Sequence, residues 1–304
     1  QPSISAATGA LVGSSTSSSV EIGSQTFIKP EGSTYNYGLF FCKIDPITQT
    51  VIWIKWVDTS KNEFGYNITI TKNDNIIISG QTNSASIIID SVTYTKYSET
   101  QSKFILIYQN DGTLNVLKWI GFVDDINTPK SLNISNKFGY NIDNEILIVG
   151  STNSTDLVID NTTYSNTISL GPGTNTCFLI ILTTDGYILS VKCFGGSLDD
   201  YCTGIVSYGS GDNDDLFILG YSHSTDFTLN SVVYGKPSPN TNTNSASFLI
   251  KLNGSLVVEW FKWIDSSDSN FSKDIIIDSS DNICITGTTQ TSITIDTVEY
   301  TKES

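Results

Sequence analysis

The chain repeats itself, and that constrains its fold more than any other feature. An apolar stretch that ends in glycine and runs on into Ser/Thr-rich residues recurs five times. It reads ALVGSST at 10–16, IISGQTN at 77–83, LIVGSTN at 147–153, FILGYSH at 217–223 and CITGTTQ at 284–290. The glycines are Gly13, Gly80, Gly150, Gly220 and Gly287, at spacings of 67, 70, 70 and 67 residues. Fourteen residues after each of the first four stands an aromatic: Phe27, Tyr94, Tyr164 and Tyr234. The fifth copy is one residue shorter and reaches Tyr300.

A second signature lies between these. Phe41, Phe104, Phe178 and Phe248 each open an apolar strand, and fifteen residues later come Trp56, Trp119, Cys193 and Trp263. Each of those is preceded by a lysine: Lys55, Lys118, Lys192 and Lys262. The Phe and Trp residues read as the repeated core. The lysines would face the other way along the strand, over the next sheet.

Short β-branched runs separated by Asn, Asp, Gly and Ser clusters predict strands and turns, with no long helix-favouring stretch. Each unit divides into strands a to d, as in YNITIT (66–71), NIIISG (75–80), FILIY (104–108) and 114–120. Asp, Asn and Gly in the a–b connections (72–74, 211–214, 279–281) suit tight hairpins. IIIDSVTY (87–94), LVIDNTTY (157–164) and FTLNSVVY (227–234) predict a small extra hairpin between b and c.

The expected fold is all-β. It is a β-propeller of four-stranded antiparallel blades, about 4.5 of them, forming a single region over 1–304. The blades fall near 1–57, 64–121, 130–196 and 202–264, with a partial fifth at 273–304. A solenoid coil would be shorter, and an immunoglobulin-like unit takes ~100 residues. Strands c and d of the fifth unit are missing, so the expectation is that the chain continues past Ser304 or that another chain completes the blade. The start at Gln1 suggests a removed leader or a piece of something longer.

The third unit resembles the SBBP-type β-propeller repeat. Thr184-Asp185-Gly186 matches its turn, and Gly195-Gly196-Ser197-Leu198-Asp199-Asp200-Tyr201 matches its Gly-Gly loop. The other units depart from the motif: Gly121-Phe122-Val123-Asp124-Asp125 and Asp265-Ser266-Ser267-Asp268 replace that loop, and the blades are longer than usual. The resemblance implies a propeller fold and a tendency to surface display, adhesion or scaffolding. It implies no catalytic residues.

Charge narrows the partners. The chain has 304 residues and a net charge of −15, its 16 basic residues are all lysine, and it has no Met and one histidine, His223. Nucleic acid and anionic membrane surfaces are poor partners for such a chain, and no run is long enough for a membrane span. Chemistry needing several histidines or an arginine clamp is excluded.

Candidate sites are few. Asp58 to Glu63, Asp124-Asp125, Asp199-Asp200 and Asp265 to Asp268 form acidic loops. Asp199 and Asp200 are the weak calcium candidates; capping of the turn is the simpler reading, and no cofactor is otherwise expected. Cys193 and Cys202 flank a short connection and are candidates for a disulfide. Cys42 (aligned with Ile105, Leu179 and Leu249) and Cys284 (aligned with Ile77) read as small core residues. Trp53 and Trp260 are candidates for sugar stacking, and His223 reads as a polar loop residue. Of six N-glycosylation triplets, Asn153 and Asn161 are best placed, and six is about the number chance would supply.

The leading functional expectation is a non-enzymatic structural or display protein of an extracellular or particle (virion or cell) surface, touching other protein subunits. The alternatives are a glycan-binding adhesin using loops on one propeller face and a propeller enzyme acting on polysaccharide. The irregular acidic loop Asp212-Asn213-Asp214-Asp215 sits at an ordinary turn and is a poor catalytic candidate.

Overall fold

In a computed structural model of the chain, the described residues are 3–5, 9–30, 37–57, 59, 61–71, 73–100, 102–122, 132–140, 145–166, 168, 173–209, 214–236 and 244–301. For 3–5 and 132–140 the description covers backbone only. Among them the fold is all-β, every strand pairing is antiparallel, and no helix occurs. No helix is therefore long and apolar enough to cross a membrane.

The strands follow the repeat. The first comprises β1 (Ser3–Ser5), β2 (Ala10–Ser15), the hairpin β3 (Ser19–Ile22) and β4 (Gln25–Ile28), then β5 (Gly38–Ile44) and β6 (Val51–Val57). The second comprises β7 (Glu63–Ile70), β8 (Ile76–Thr82), β9 (Ser86–Ile89), β10 (Val92–Thr95), β11 (Lys103–Tyr108) and β12 (Leu114–Phe122). The third comprises β13 (Leu132–Tyr140), β14 (Ile146–Thr152), β15 (Asp156–Ile159), β16 (Thr162–Ser165), β17 (Thr176–Leu182) and β18 (Ile188–Phe194). The fourth comprises β19 (Asp200–Tyr208), β20 (Asp215–Ser222), β21 (Asp226–Leu229), β22 (Val232–Gly235), β23 (Ala246–Leu252) and β24 (Val258–Ser266). The fifth has β25 (Asn270–Ile277), β26 (Ile283–Thr289), β27 (Ile293–Ile295) and β28 (Val298–Tyr300).

Four sheets have the order a-b-c-d: β1-β2-β5-β6, β7-β8-β11-β12, β13-β14-β17-β18 and β19-β20-β23-β24. Of the fifth repeat, β25-β26 form a two-stranded sheet, while β27-β28 extend the β19-β20-β23-β24 sheet, as β15-β16 extend β7-β8-β11-β12. Tight turns close the b–c hairpins: Asp90-Ser91, Asn230-Ser231 and Asp296-Thr297 have positive φ at both residues, as a type I′ turn requires.

The chain forms two compact units. One holds 1–123, 157–164 and 184–186; the other holds 124–156, 165–183 and 187–304. In the first, β7 packs on β2 and β5; in the second, β19 packs on β13, β14 and β17, and β25 on β19, β20 and β23. The inner strands β11, β14 and β17 are buried along their whole length, in keeping with their continuous apolar runs. The outer strands β12 and β24 are at most partly buried over their first five residues and become buried at Trp119 and Trp263.

Glycine is needed where the inner strands meet an aromatic. A Cβ on Gly80 would lie 2.4 Å from Phe104 Cζ, and one on Gly220 would lie 2.3 Å from Phe248 Cζ and 2.4 Å from Tyr201 O. Phe104, Phe178 and Phe248 stand opposite Gly80, Gly150 and Gly220, and opposite Trp119, Cys193 and Trp263 on the other side.

The first repeat corrects the alignment by one residue. Phe40, not Phe41, stands opposite Gly13 and Trp56, while Phe41 faces Val12 and Lys55. The β5–β6 turn carries one more residue than its counterparts, so equal sequence spacing misaligns the strand. Cys42 accordingly matches Leu106, Ile180 and Ile250 in register, not Ile105, Leu179 and Leu249. Phe41, Phe104, Phe178 and Phe248 are nonetheless all fully buried, and Trp56, Trp119 and Trp263 are buried too.

Candidate functional site

The lysines that precede the repeated aromatics each reach the turn of a b–c hairpin. Lys55 Nζ lies 2.8 Å from Asp90 Oδ2, Lys118 Nζ 2.7 Å from Asp160 Oδ2, and Lys192 Nζ 3.1 Å from Asn230 Oδ1; Lys262 pairs with Asp296. Backbone pairing accompanies the contact: β15 pairs with β12, β27 with β24, and Gly195 exchanges two hydrogen bonds with Thr228. The hairpin of one repeat therefore fastens to strand d of the repeat before it. Both partners recur in the sequence, the acceptor ten residues after the glycine (nine in the fifth copy), but their pairing lies across repeats.

A second constellation sits at the start of strand a. Asp200 is fully buried; its Oδ2 accepts Gly196 N–H at 2.5 Å and Ser224 Oγ–H at 3.3 Å. Burial pushes its carboxyl up to about 7, against the hydrogen bonds from Gly196, Ser222 and Ser224, which pull it down. The double glycine has a steric cause: a Cβ on Gly195 would lie 2.5 Å from Asp200 Oδ2, and one on Gly196 would lie 1.7 Å from Asp226 O.

Glu63 and Asn270 occupy the same register position. Glu63 stands opposite Thr82, Asp200 opposite Ser222, and Asn270 opposite Thr289. Glu63 Oε1 accepts from Thr59 at 2.5 Å and from Thr82 at 2.9 Å; Asn270 Oδ1 accepts Ser247 N–H at 2.8 Å. Unequal a–b turns, 17, 20 and 17 residues back from the glycine, hide this position in the sequence.

The calcium candidates diverge. Asp199 Oδ1 accepts the backbone N–H and the side-chain Nδ2–H of Asn175, at 2.8 and 2.9 Å, while Asp200 turns inward under the Gly-Gly loop. Among the described residues no three His, Cys, Asp or Glu side chains converge on a common point. Asp58, Asp124, Asp125, Asp212 and Asn213 lie outside the described residues. Asp215 is held by Lys251 at 2.7 Å.

No disulfide joins Cys193 to Cys202 in the structure; all five cysteines are free thiols. Cys193 lies on outer strand β18, whereas β19 packs on β13, β14 and β17, which sets Cys202 beside Cys177. Burial pushes the thiols of Cys42 and Cys193 up to about 12, and Cys177 upward as well. A cleft of about 430 Å³ opens beside Lys192, Cys193 and Asn230. A thiol held protonated this way is a poor nucleophile. Cys284 is exposed rather than a core residue, because the face of β25–β26 bearing Cys284 and Ile276 has no sheet against it among the described residues.

Trp53 and Trp260 are half-buried. Trp53 packs edge-on against Phe41 and donates Nε1–H to Asn110 O at 3.1 Å, while Trp260 leans on Phe217. His223 is half-buried, its N–H bonded to Asp199 O at 2.8 Å and its ring edge-on to Tyr221. Asn161 is exposed at a hairpin turn, and Asn153 is half-buried.

No family model matches the chain, and no curated protein matches it. A solved structure with some likeness is a protein of unknown function from Bacteroides caccae, 9% identical, covering 73% of this chain and 89% of that one with a TM-score of 0.25. A likeness of that size carries no argument about fold or function.

Proposed function

We propose that this chain is a non-enzymatic structural or display protein of an extracellular or particle surface. In this reading it is a β-propeller of SBBP-like blades that acts through protein–protein contacts. The observation that supports it is the Lys-to-hairpin strap, repeated as Lys55–Asp90, Lys118–Asp160, Lys192–Asn230 and Lys262–Asp296. A charge or amide at every step fastens the hairpin of one repeat to strand d of the previous one, a recurrent tie that suits a chain presenting a fixed surface. Among the described residues, the fully buried carboxylates Glu63 and Asp200 hold hydroxyls, Thr59 and Thr82 at Glu63 and Ser224 at Asp200, and Asp200 also holds the Gly196 N–H.

The test is direct imaging with native fractionation. Electron microscopy of the chain should show sheets arranged radially about an axis. Antibodies should label intact cells or particles, and the chain should co-purify with other subunits. Turnover of a polysaccharide, abolished by a single Asp or Glu substitution, would replace this reading with an enzyme. Saturable binding on a glycan array, lost in Trp53→Ala, would replace it with an adhesin.

A further inference from the structure

The geometry points to Cys177 and Cys202 as a dithiol that a disulfide oxidant closes into a bond, tying strand c of the third repeat to strand a of the fourth. The pair follows from strand register and does not depend on the surface reading.

One backbone hydrogen bond recurs where strand a of a repeat meets strand c of the repeat before it. Glu63 N–H donates to Tyr37 O at 2.7 Å, Asp200 N–H to Asn175 O at 2.9 Å, and Asn270 N–H to Ser245 O at 3.1 Å. In each case the donor opens strand a and the acceptor immediately precedes strand c. Two residues further along both strands stand Leu39 and Gly65, Cys177 and Cys202, and Ser247 and Ser272. These positions face each other. A Cβ on Gly65 would lie 2.5 Å from Leu39 Cδ1, and Ser247 and Ser272 line one cavity. Between the third and fourth repeats both positions are cysteine, 25 residues apart in the chain.

The two thiols meet. Cys177 and Cys202 are hydrogen-bonded to each other, and both are buried in the cluster that holds Leu179, Phe194 and Ile205. Register keeps Cys193 out of the pair. It stands opposite Phe178, the next residue along β17 from Cys177, and so projects from the other face of that sheet. Cys42 and Cys284 belong to the first and fifth repeats.

Closure is a thiol–disulfide exchange, and the oxidant is itself a disulfide: oxidised glutathione or a protein disulfide. One cysteine loses its proton and attacks a sulfur of that disulfide, releasing half of it as a thiol. The second cysteine loses its proton and displaces the other half. The chain gives up two electrons and two protons, one S–S bond forms within it, and the oxidant's S–S bond becomes two thiols. Burial holds the Cys177 thiol protonated, which slows attack in the closed fold. The bond therefore forms fastest during folding, while β19 is still docking on β17.

The test uses the full chain with Cys284→Ser, which removes the exposed thiol that would take up glutathione and leaves four thiols. The chain is unfolded under reductant and refolded in a buffer of reduced and oxidised glutathione. Remaining thiols are alkylated and the bonds mapped by mass spectrometry. The expected result is one Cys177–Cys202 bond, with Cys42 and Cys193 free. The same bond should form more slowly in the native chain treated without unfolding. Urea titration should show the unfolding equilibrium constant of the bonded chain at least roughly tenfold below that of the reduced chain. Cys193→Ser should leave the bond in place. Four free thiols, a bond between any other pair, or a bonded chain no more stable than the reduced one would overturn the proposal.

Discussion

Asp160 serves two partners at once: its Oδ2 lies 2.7 Å from Lys118 Nζ, and its Oδ1 accepts the Trp119 N–H at 2.9 Å. It also stands at φ 53°, in the left-handed region that Asn and Asp tolerate better than most residues. Asp160→Ala should lose the ion pair, the cap and that tolerance together, costing about 1–2 kcal/mol in urea unfolding. Asp160→Asn should cost less than about 1 kcal/mol, since Asn230 fills the same place in the fourth repeat. A double-mutant cycle with Lys118→Ala should return a coupling of roughly 0.5–1 kcal/mol that shrinks in high salt.

Asp200 should make stability fall as pH rises. Its carboxyl is pushed up to about 7 in the fold, from an ordinary value of 3.8. Between those values the folded state holds a proton that the unfolded state has lost, so stability declines across that window and is flat on either side. Asp200→Asn keeps an acceptor for Gly196 and removes the charge. Denaturant melts from pH 4 to pH 8 should show a slope smaller by roughly 2–4 kcal/mol in the variant. An unchanged slope would mean that Asp200 is ionised in the fold throughout.

Thiol chemistry separates the cysteines. Cys284 is exposed, whereas Cys42, Cys177 and Cys202 are buried and Cys193 is held protonated. Ellman's reagent at pH 8 should therefore find one fast thiol in the native chain, absent in Cys284→Ser. Unfolding without reductant should release five. A count of three would establish a disulfide.

The glycine–aromatic contact should be intolerant of a methyl group. At Gly220 the added carbon would meet Tyr201 O, a backbone atom that cannot swing aside, as well as the Phe248 ring. Gly220→Ala should cost about 2–4 kcal/mol by overpacking, read by thermal unfolding. Gly235→Ala, with nothing within 4 Å, should be close to neutral.

Much of this architecture is visible in the residues alone. The glycines at near-constant spacing mark strand b, and Asp-Ser and Asn-Ser pairs mark the hairpin turns, because turn chemistry is local. What escapes notice is non-local. One extra residue in the β5–β6 turn shifts Phe41 out of alignment with Phe104, and only the strand register reveals Phe40 as its counterpart. Cys193 and Cys202 are close in sequence yet lie on strands with different neighbours. The lysines and the hairpin acids are each evident as repeats, but the bond between them joins residues 34–42 positions apart. The shared place of Glu63, Asp200 and Asn270 is masked by a–b turns of different length.

The hairpin straps bear on how such a chain can lengthen or shorten. A hairpin encoded between strands b and c of one repeat is fastened to strand d of the repeat before it, so successive repeats overlap like roof tiles. Cutting at the edge of a sheet severs a lap joint and strips a hairpin from its bed. Removing or duplicating a whole period of about 70 residues, from any starting point, rejoins a lysine to a hairpin acid and a phenylalanine to a glycine. Gene duplication of unplanned phase could therefore extend the array without redesigning a single junction.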